Sequence, residues 1–156
     1  MTSYHISTEV RAEQPVAVRS ATLAAADIGA WIGPTYGKVA QYLAAHGSHP
    51  AGPPFARYRR VDDEKFEVSA GFPVPAAIAG DGDVHPMTLP GGPAAGTLYI
   101  GPYDAMAPAY RALVQWLAAH GAVANGDPWE TYFSDPTTEP DPATWRTQIV
   151  QPYSTG

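Results

Sequence analysis

The stretch PTYGKVAQYLAAHG, residues 34–47, returns 74 positions later as PAYRALVQWLAAHG, residues 108–121. Eight of the fourteen aligned positions are identical, and the alignment has no gap. The same offset aligns residues after each stretch, among them Phe55 with Trp129 and Tyr58 with Tyr132. Because the match continues beyond a single helix, it predicts two copies of one structural unit.

Upstream of these stretches the offset becomes 78, which aligns Pro15–Ala17 with Pro93–Ala95. We expect the four-residue difference to lie in the loop before each helix, because loops accept insertions. Gly47 and Gly121 predict the left-handed residue that ends each helix, and Asp104 is predicted to cap the start of the second. Each helix carries an apolar stripe with the spacing i, i+4, i+7, i+8, i+11, formed by Ile32, Tyr36, Val39, Ala40 and Leu43 and by Met106, Tyr110, Leu113, Val114 and Leu117.

Strand-like runs surround both helices, so each copy has the order strand, strand, helix, strand, strand. The turn sequence Leu89–Pro93 predicts that the two strands it joins are antiparallel neighbours. The fold class is therefore α+β with two-fold pseudosymmetry, in which a single domain over residues 1–156 contains repeats at 3–75 and 82–153. The predicted strands are Tyr4–Val10, Val16–Thr22, Ala56–Val61, Lys65–Phe72, Val84–Leu89, Ala94–Ile100, Trp129–Ser134 and Thr144–Val150.

Composition, charge and hydropathy argue against several classes of function. The chain has 156 residues, 45% of them apolar, with 4 Trp, 9 Tyr and 4 Phe, which is enough to bury a core. A net charge of −6 argues against direct nucleic-acid binding. No segment approaches a membrane span and no secretory leader is visible, so we expect a cytoplasmic protein without a membrane partner.

No motif indicates a cofactor or a metal. The sequence has no Cys, no phosphate-binding glycine loop, no G-x-S-x-G elbow and no H-E-x-x-H. His46 and His49 have a spacing that suits a metal, but the other copy keeps only His120. We therefore predict no metal site, and we interpret His46 and His120 as residues that interact favourably with helix C-termini.

A duplicated scaffold starts symmetric, so specialised groups should show as differences between the copies. Glu130 is the clearest difference, because it occupies the position of Ala56. It lies in the strand-like run Trp129–Phe133, where a period of two places Glu130 and Tyr132 on one face. If this face is buried, a lone carboxylate pairs with a cation, becomes protonated or awaits a ligand. An exposed Glu at a strand edge is the alternative.

These segments together resemble the GyrI-like effector-binding domain, which is also attached to AraC-type and MerR-type multidrug regulators. The resemblance covers nearly the whole chain, and it implies a tandem pair of β-α-β-β (SHS2-like) units with a central ligand groove. Where such regulators have a helix-turn-helix, the first predicted strand already begins at Tyr4, so we expect no DNA-binding domain. The matching segments are Leu89–Gly96, Gly101–Tyr103, Ala109–Leu117, Trp129–Tyr132, Asp135–Pro136 and Thr147–Pro152.

The resemblance also implies an acidic residue near the centre of the groove, a position matched by Glu130, and aromatic walls for flat, often cationic compounds. Aromatic side chains on the two repeated helices, Tyr36, Tyr42, Tyr110 and Trp116, are instead expected to pack in the core. The expected walls are Trp31, Tyr58, Phe72, Tyr99, Tyr103, Tyr132 and Trp145.

Three functions are compatible with this pattern. The first is a stand-alone protein that senses or sequesters a toxic hydrophobic compound. The second, similar to one branch of these proteins, is a hydrolase that opens the cyclopropane ring of DNA-alkylating natural products, with Glu130 as general base and Tyr132 or Tyr103 as its partner. The third is a protein-interaction role resembling the gyrase inhibitor, with gyrase or a separate regulator as partner.

Overall fold

The computed structural model describes residues 4–134 and 138–155. It confirms an α+β fold with two main helices, and every strand pairing within a unit is antiparallel. No helix in these residues is both long and apolar enough to cross a bilayer. The elements are β1 (Ser7–Arg11), β2 (Gln14–Ala24), α1 (Ala25–Ala45), β3 (Phe55–Arg60), β4 (Lys65–Pro73), β5 (His85–Leu89), β6 (Gly92–Ile100), α2 (Ala107–Ala119), β7 (Ala122–Ala124), β8 (Trp129–Tyr132) and β9 (Arg146–Thr155), with short 3-10 helices at Tyr103–Ala105 and Pro142–Thr144.

Residues 13–90 form one compact unit. Its sheet has the strand order β3-β4-β2-β5, and α1 packs on one face. The fully buried Val39 and Leu43 of α1 pack with Ala17 of β2, and burial of each of the two larger side chains contributes about 1.5–3 kcal/mol. The backbones of β2 and β4 approach so closely that a Cβ at Gly71 would lie 1.8 Å from the carbonyl oxygen of Ala17.

The described residues of segments 1–12 and 91–156 form the other unit. Its sheet has the order β1-β6-β9-β8, and β7 pairs with the end of β9. The helix α2 packs on this sheet through Ala109 and Leu113, which contact Ala95 of β6 and Ile149 of β9 in one buried cluster. Strand β7 was not predicted, because three residues are too few to show a period.

The first strand of each predicted copy pairs outside its own copy. Strand β1 pairs with β6, with Ser7 opposite Gly96, and β5 pairs with β2, with His85 opposite Val18. The prediction that the strands flanking Leu89–Pro93 are neighbours is therefore wrong. Gly and Pro end a strand, but they do not determine whether the chain folds back on it.

The starts of the two helices also differ from the prediction. Helix α1 follows β2 directly, so this unit has no loop before its helix, and Pro34 lies inside α1. In the other unit a 3-10 helix intervenes, so Asp104 lies within Tyr103–Ala105 and α2 begins after Met106 without a side-chain cap. The predicted cap at Asp104 is wrong for this reason.

The helix ends match the prediction closely. Gly47 and Gly121 have φ angles of 70° and 63°. His46 and His120 lie one residue earlier, and the Nδ1 atom of each ring is 2.8 Å from the carbonyl oxygen four residues before it. One prediction for the buried face fails, because Val114 is 66% exposed while α2 buries Ala109, Leu113 and Leu117.

Candidate functional site

Glu130 is a buried carboxylate on the helix-facing side of its sheet. It pairs with Ile149 of β9, which packs under α2, and directly opposed residues share a face. Only 9% of Glu130 is exposed. The hydroxyl of Tyr110 donates to Oε2, and the hydroxyl of Tyr132 donates to Oε1 at 2.8 Å. The prediction that Glu130 and Tyr132 share a face is confirmed, and an exposed strand-edge position is excluded.

The charge on Glu130 is poorly compensated. Burial raises the pKa of its carboxyl above the usual value, and the two tyrosine hydrogen bonds lower that pKa by less. Within residues 4–134 and 138–155, no Lys, Arg or His forms an ion pair with Glu130. The site can therefore take up a proton, or it can compensate its charge with a cation from outside the described chain.

The unit of residues 13–90 has no acid at the position equivalent to Glu130. Ala56, the counterpart of Glu130, is fully buried on β3. Tyr36, the counterpart of Tyr110, donates its hydroxyl to the carbonyl oxygen of Phe55 at 2.9 Å. The tyrosine is thus a shared feature of both helices, whereas its carboxylate acceptor is present in one unit only.

Three aromatic rings continue from Glu130 toward the surface. Tyr132, which bonds the carboxylate, meets the ring of Tyr103 edge to face at 5.5 Å. Tyr103 stacks on Trp145 at 4.7 Å between ring centres, and it is 39% exposed. The indole nitrogen of Trp145 donates to the carbonyl oxygen of Glu139 at 2.6 Å, which holds the ring in place. We call Tyr103, Tyr132 and Trp145 the aromatic cluster.

Tyr99, also expected in the wall, belongs to the core of this unit. It is 4% exposed, packs with Met106 and Ala109, and donates its hydroxyl to the carbonyl oxygen of Pro102 at 2.7 Å. Burial raises the pKa of its phenol. Gly101 leaves space for this hydroxyl, since a Cβ there would lie 2.8 Å from it.

The remaining wall candidates lie in the unit of residues 13–90. Trp31 was expected on a strand or loop, but it lies inside α1, because the helix starts earlier than predicted. Phe72 of β4 meets the ring of Tyr36 edge to face at 5.7 Å and packs against the core. Tyr58 lies on β3, beside Val68 of β4.

Sequence reasoning missed Tyr110 as part of the site. Its ring packs against the core as predicted, but its hydroxyl bonds Glu130. The repeat aligns Tyr110 with Tyr36 and Glu130 with Ala56, but it gives no signal that the two positions are in contact. Asp135 and Pro136, which contributed to the resemblance, lie outside the described residues. In the part of the chain that is described, no three His, Cys, Asp or Glu side chains cluster as metal ligands.

Comparison with known proteins gives a family match and several structural neighbours. The sequence matches the GyrI-like small molecule binding domain over residues 5–154. A search of curated proteins found no significant match.

Structural neighbours share the fold at low sequence identity. The C-terminal domain of EcmrR is 20% identical with a TM-score of 0.80, and the alignment covers 99% of this chain and 100% of that domain. In the complex of EcmrR with DNA, this chain spans 58% of the EcmrR chain. A hydrolase from Listeria innocua is 14% identical, with coverage of 96% and 91% and a TM-score of 0.67. SAV2435 bound to tetraphenylphosphonium is 12% identical, with coverage of 98% and 94% and a TM-score of 0.57.

Proposed function

Because the chain belongs to the family of GyrI-like small-molecule-binding domains, we propose that it binds hydrophobic aromatic compounds, preferentially cationic ones, and thereby senses or sequesters them. Glu130 and the aromatic cluster are the proposed contacts. The observation that carries the proposal is a carboxylate that is 9% exposed and has two phenol donors but no cationic partner in the described residues.

A cationic ligand suits this environment for an electrostatic reason. The interaction of two opposite charges strengthens when water is excluded from between them. Burial removes the water that would stabilise the negative charge of Glu130. A cation bound beside the carboxylate would therefore stabilise that charge instead. The two tyrosine hydroxyls hold both carboxylate oxygens in place before the ligand arrives, so little ordering remains to be done on binding.

The aromatic cluster supplies the rest of the proposed contact. Ring faces attract cations and flat rings, by about 0.5–2 kcal/mol for each cation–π contact. Tyr103 is the most exposed of the three rings and is the proposed first contact. Contacts of this kind select for aromatic surface and positive charge more than for particular hydrogen-bonding groups, which supports binding of several related compounds.

The proposal is tested by calorimetric titration with tetraphenylphosphonium and with the neutral triphenylphosphine oxide. Loss of a charged partner costs about 1.5–3 kcal/mol, so Glu130→Gln should bind the cation about 10–100-fold more weakly and bind the neutral compound almost unchanged. The matched control is Glu67→Gln, which removes the same charge from an exposed pair with Arg59. Equal cation affinity in wild type and Glu130→Gln would remove Glu130 from the site.

A second candidate function rests on the hydrogen bond from Tyr132 to Glu130. In a cyclopropane hydrolase, Glu130 would take a proton from water as the water oxygen bonds to a ring carbon. The cleaved carbon–carbon pair would move into the departing ring system, which Tyr132 or Tyr103 would protonate or polarise. The raised pKa makes the Glu130 carboxylate a stronger base than an ordinary Glu, which suits such proton transfer.

The two candidates separate by mass spectrometry on a cyclopropane-bearing alkylator after incubation with the protein. A binder returns the compound intact, whereas a hydrolase returns it with the mass of one added water. An undiminished rate of water addition in Glu130→Gln would end the hydrolase assignment of this residue. The protein-partner function stays a prediction, which a pull-down with gyrase tests.

A further inference from the structure

Arg19 carries a second specialised group, in the unit of residues 13–90. It lies on β2 and faces α1, where its Nη1 donates to Oγ1 of Thr35 at 2.8 Å. Its Nε lies 3.0 and 3.1 Å from the two carboxylate oxygens of Asp83. The guanidinium carbon is 5.8 Å from the centre of the Trp31 ring. One cation is thus held against an indole ring by two polar contacts.

Thr35 fixes the guanidinium in place. This residue is fully buried, and its hydroxyl accepts from Arg19 while donating to the carbonyl oxygen of Trp31 at 2.8 Å. Both hydrogen-bonding roles of the hydroxyl are therefore in use, so the side chain has one preferred rotamer. The position of Arg19 is set by the backbone of α1 as well as by Asp83, and a ligand would meet a preorganised group.

The guanidinium still has donors to offer. Arginine has five N–H groups in a planar fork, and the contacts to Asp83 and Thr35 engage Nε and Nη1. Nη2 has no hydrogen-bond partner within the described residues. Nη2 therefore keeps two N–H groups, and Nη1 keeps one, that no described residue accepts from.

The two partners of this ion pair differ in their exposure to water. The side chain of Arg19 is 17% exposed, whereas that of Asp83 is 61% exposed. Water screens the exposed carboxylate more than the mostly buried guanidinium. An anion at Nη2 would therefore experience more attraction from Arg19 than repulsion from Asp83.

The repeat supports a specialised role. By the two offsets of the sequence alignment, Arg19 corresponds to Thr97 and Thr35 corresponds to Ala109. The other unit thus has neither the cation nor the hydroxyl that holds it. Glu130 replaces Ala56 in the same manner, so Glu130 and Arg19 are charged departures of opposite sign, one in each unit.

We propose that Arg19 and Trp31 form a second binding site, for small aromatic carboxylates, that acts independently of Glu130. The carboxylate of the ligand would accept hydrogen bonds from Nη2 and the free N–H of Nη1. Its ring would pack along the indole of Trp31, as aromatic rings do in offset or edge contacts. This site would prefer anionic ligands, whereas the site proposed at Glu130 would prefer cationic ones.

The test is calorimetric titration with 2-naphthoate and with neutral 2-naphthamide, at about 0.15 M salt, where the Debye length is about 8 Å and the net negative charge of the chain is screened. Wild type should bind the acid at least about tenfold more tightly than the amide. Arg19→Gln should lose that preference. Asp83→Asn removes the competing carboxylate, so it should bind the acid more tightly than wild type does.

Asp83→Asn also breaks the ion pair, so it controls for any fold defect caused by losing that pair. Arg19→Gln should bind tetraphenylphosphonium as wild type does, which separates this site from the one proposed above. Two results would overturn the proposal. One is an equal affinity of wild type for acid and amide at millimolar concentration. The other is equal weakening in Arg19→Gln and Asp83→Asn, which would make Arg19 and Asp83 a purely structural pair.

Discussion

Replacing Glu130 with glutamine should stabilise the protein. Glutamine has nearly the same shape, and its amide can keep both tyrosine contacts. The amide oxygen accepts from one phenol, as the carboxylate does now, and the amide nitrogen donates to the oxygen of the other phenol. The variant therefore removes a charge while each phenol oxygen keeps one hydrogen bond to the side chain at position 130.

The magnitude follows from the contacts of Glu130. Two hydrogen bonds to a charged group, worth about 1.5–3 kcal/mol each, become neutral bonds worth about 0.5–1.5 kcal/mol each. Against that loss stands the cost of burying an ion, which is several kcal/mol. Burial outweighs the two hydrogen bonds in raising the pKa of Glu130. We expect a net gain of about 1–2 kcal/mol in the free energy of unfolding near neutral pH, and a rise in Tm of about 2–4 °C per kcal/mol.

The gain should depend on pH in a defined direction. Because the pKa of Glu130 is higher in the folded chain than its ordinary value of 4.5, the folded state holds this proton more tightly. Wild-type stability therefore decreases as the pH rises from the ordinary value through the folded value. Below 4.5 the carboxyl is neutral in both states, so the advantage of Glu130→Gln should be smallest there and increase toward neutral pH.

Urea denaturation of wild type and Glu130→Gln, from about pH 4 to about pH 8, measures this difference directly. Glu67→Gln, which alters an exposed ion pair with Arg59, should show a small difference from wild type throughout. The reasoning would be refuted if Glu130→Gln unfolded at lower urea than wild type near neutral pH. A stability gain that is the same at every pH would also contradict it, because the gain would then not arise from the charge.

Two further matched pairs test the site and the fold. Tyr110→Phe removes a donor to Glu130, so the pKa of that carboxyl should rise further. Calorimetry should then detect tetraphenylphosphonium binding only at higher pH than in wild type. Tyr36→Phe, the equivalent change in the other unit, should leave the pH dependence of binding unchanged. If both variants alter the profile equally, Tyr110 has no particular role. Gly71→Ala places a Cβ against backbone and should lower the free energy of unfolding by about 3 kcal/mol or more. Gly37→Ala, on an open face of α1, should raise it by about 0.5–1 kcal/mol, and denaturation that ranks the two glycine variants the other way would contradict this account.

Much of the local structure was predictable because its causes are local. The repeat predicted two similar helices, and the glycines at 47 and 121 predicted where each ends, since the left-handed backbone strongly favours glycine. The start of each helix was less predictable. At Asp104 the residue type suited a cap, but the 3-10 helix before α2 shifted the register.

Comparing the two copies identified Glu130 but only some of its contacts. Its replacement of Ala56 identified a charged residue in a place where the scaffold has a small apolar one. The period of the strand then placed Tyr132 on the same face, as the structure confirms. Tyr110 lies 20 residues earlier in sequence, on a different element, and its contact with Glu130 depends on how α2 packs on β8 and β9.

The sequence by itself determined the two repeated helices, where each helix ends and the position of the unusual acid, because repeats, backbone preferences and strand period are properties of neighbouring residues. Only the tertiary structure decided the pairing of β1 with β6 and of β5 with β2. It also decided the two phenol donors to Glu130 and the contacts that hold Arg19. These features join residues far apart in the chain, and their energies depend on burial, which no local pattern specifies.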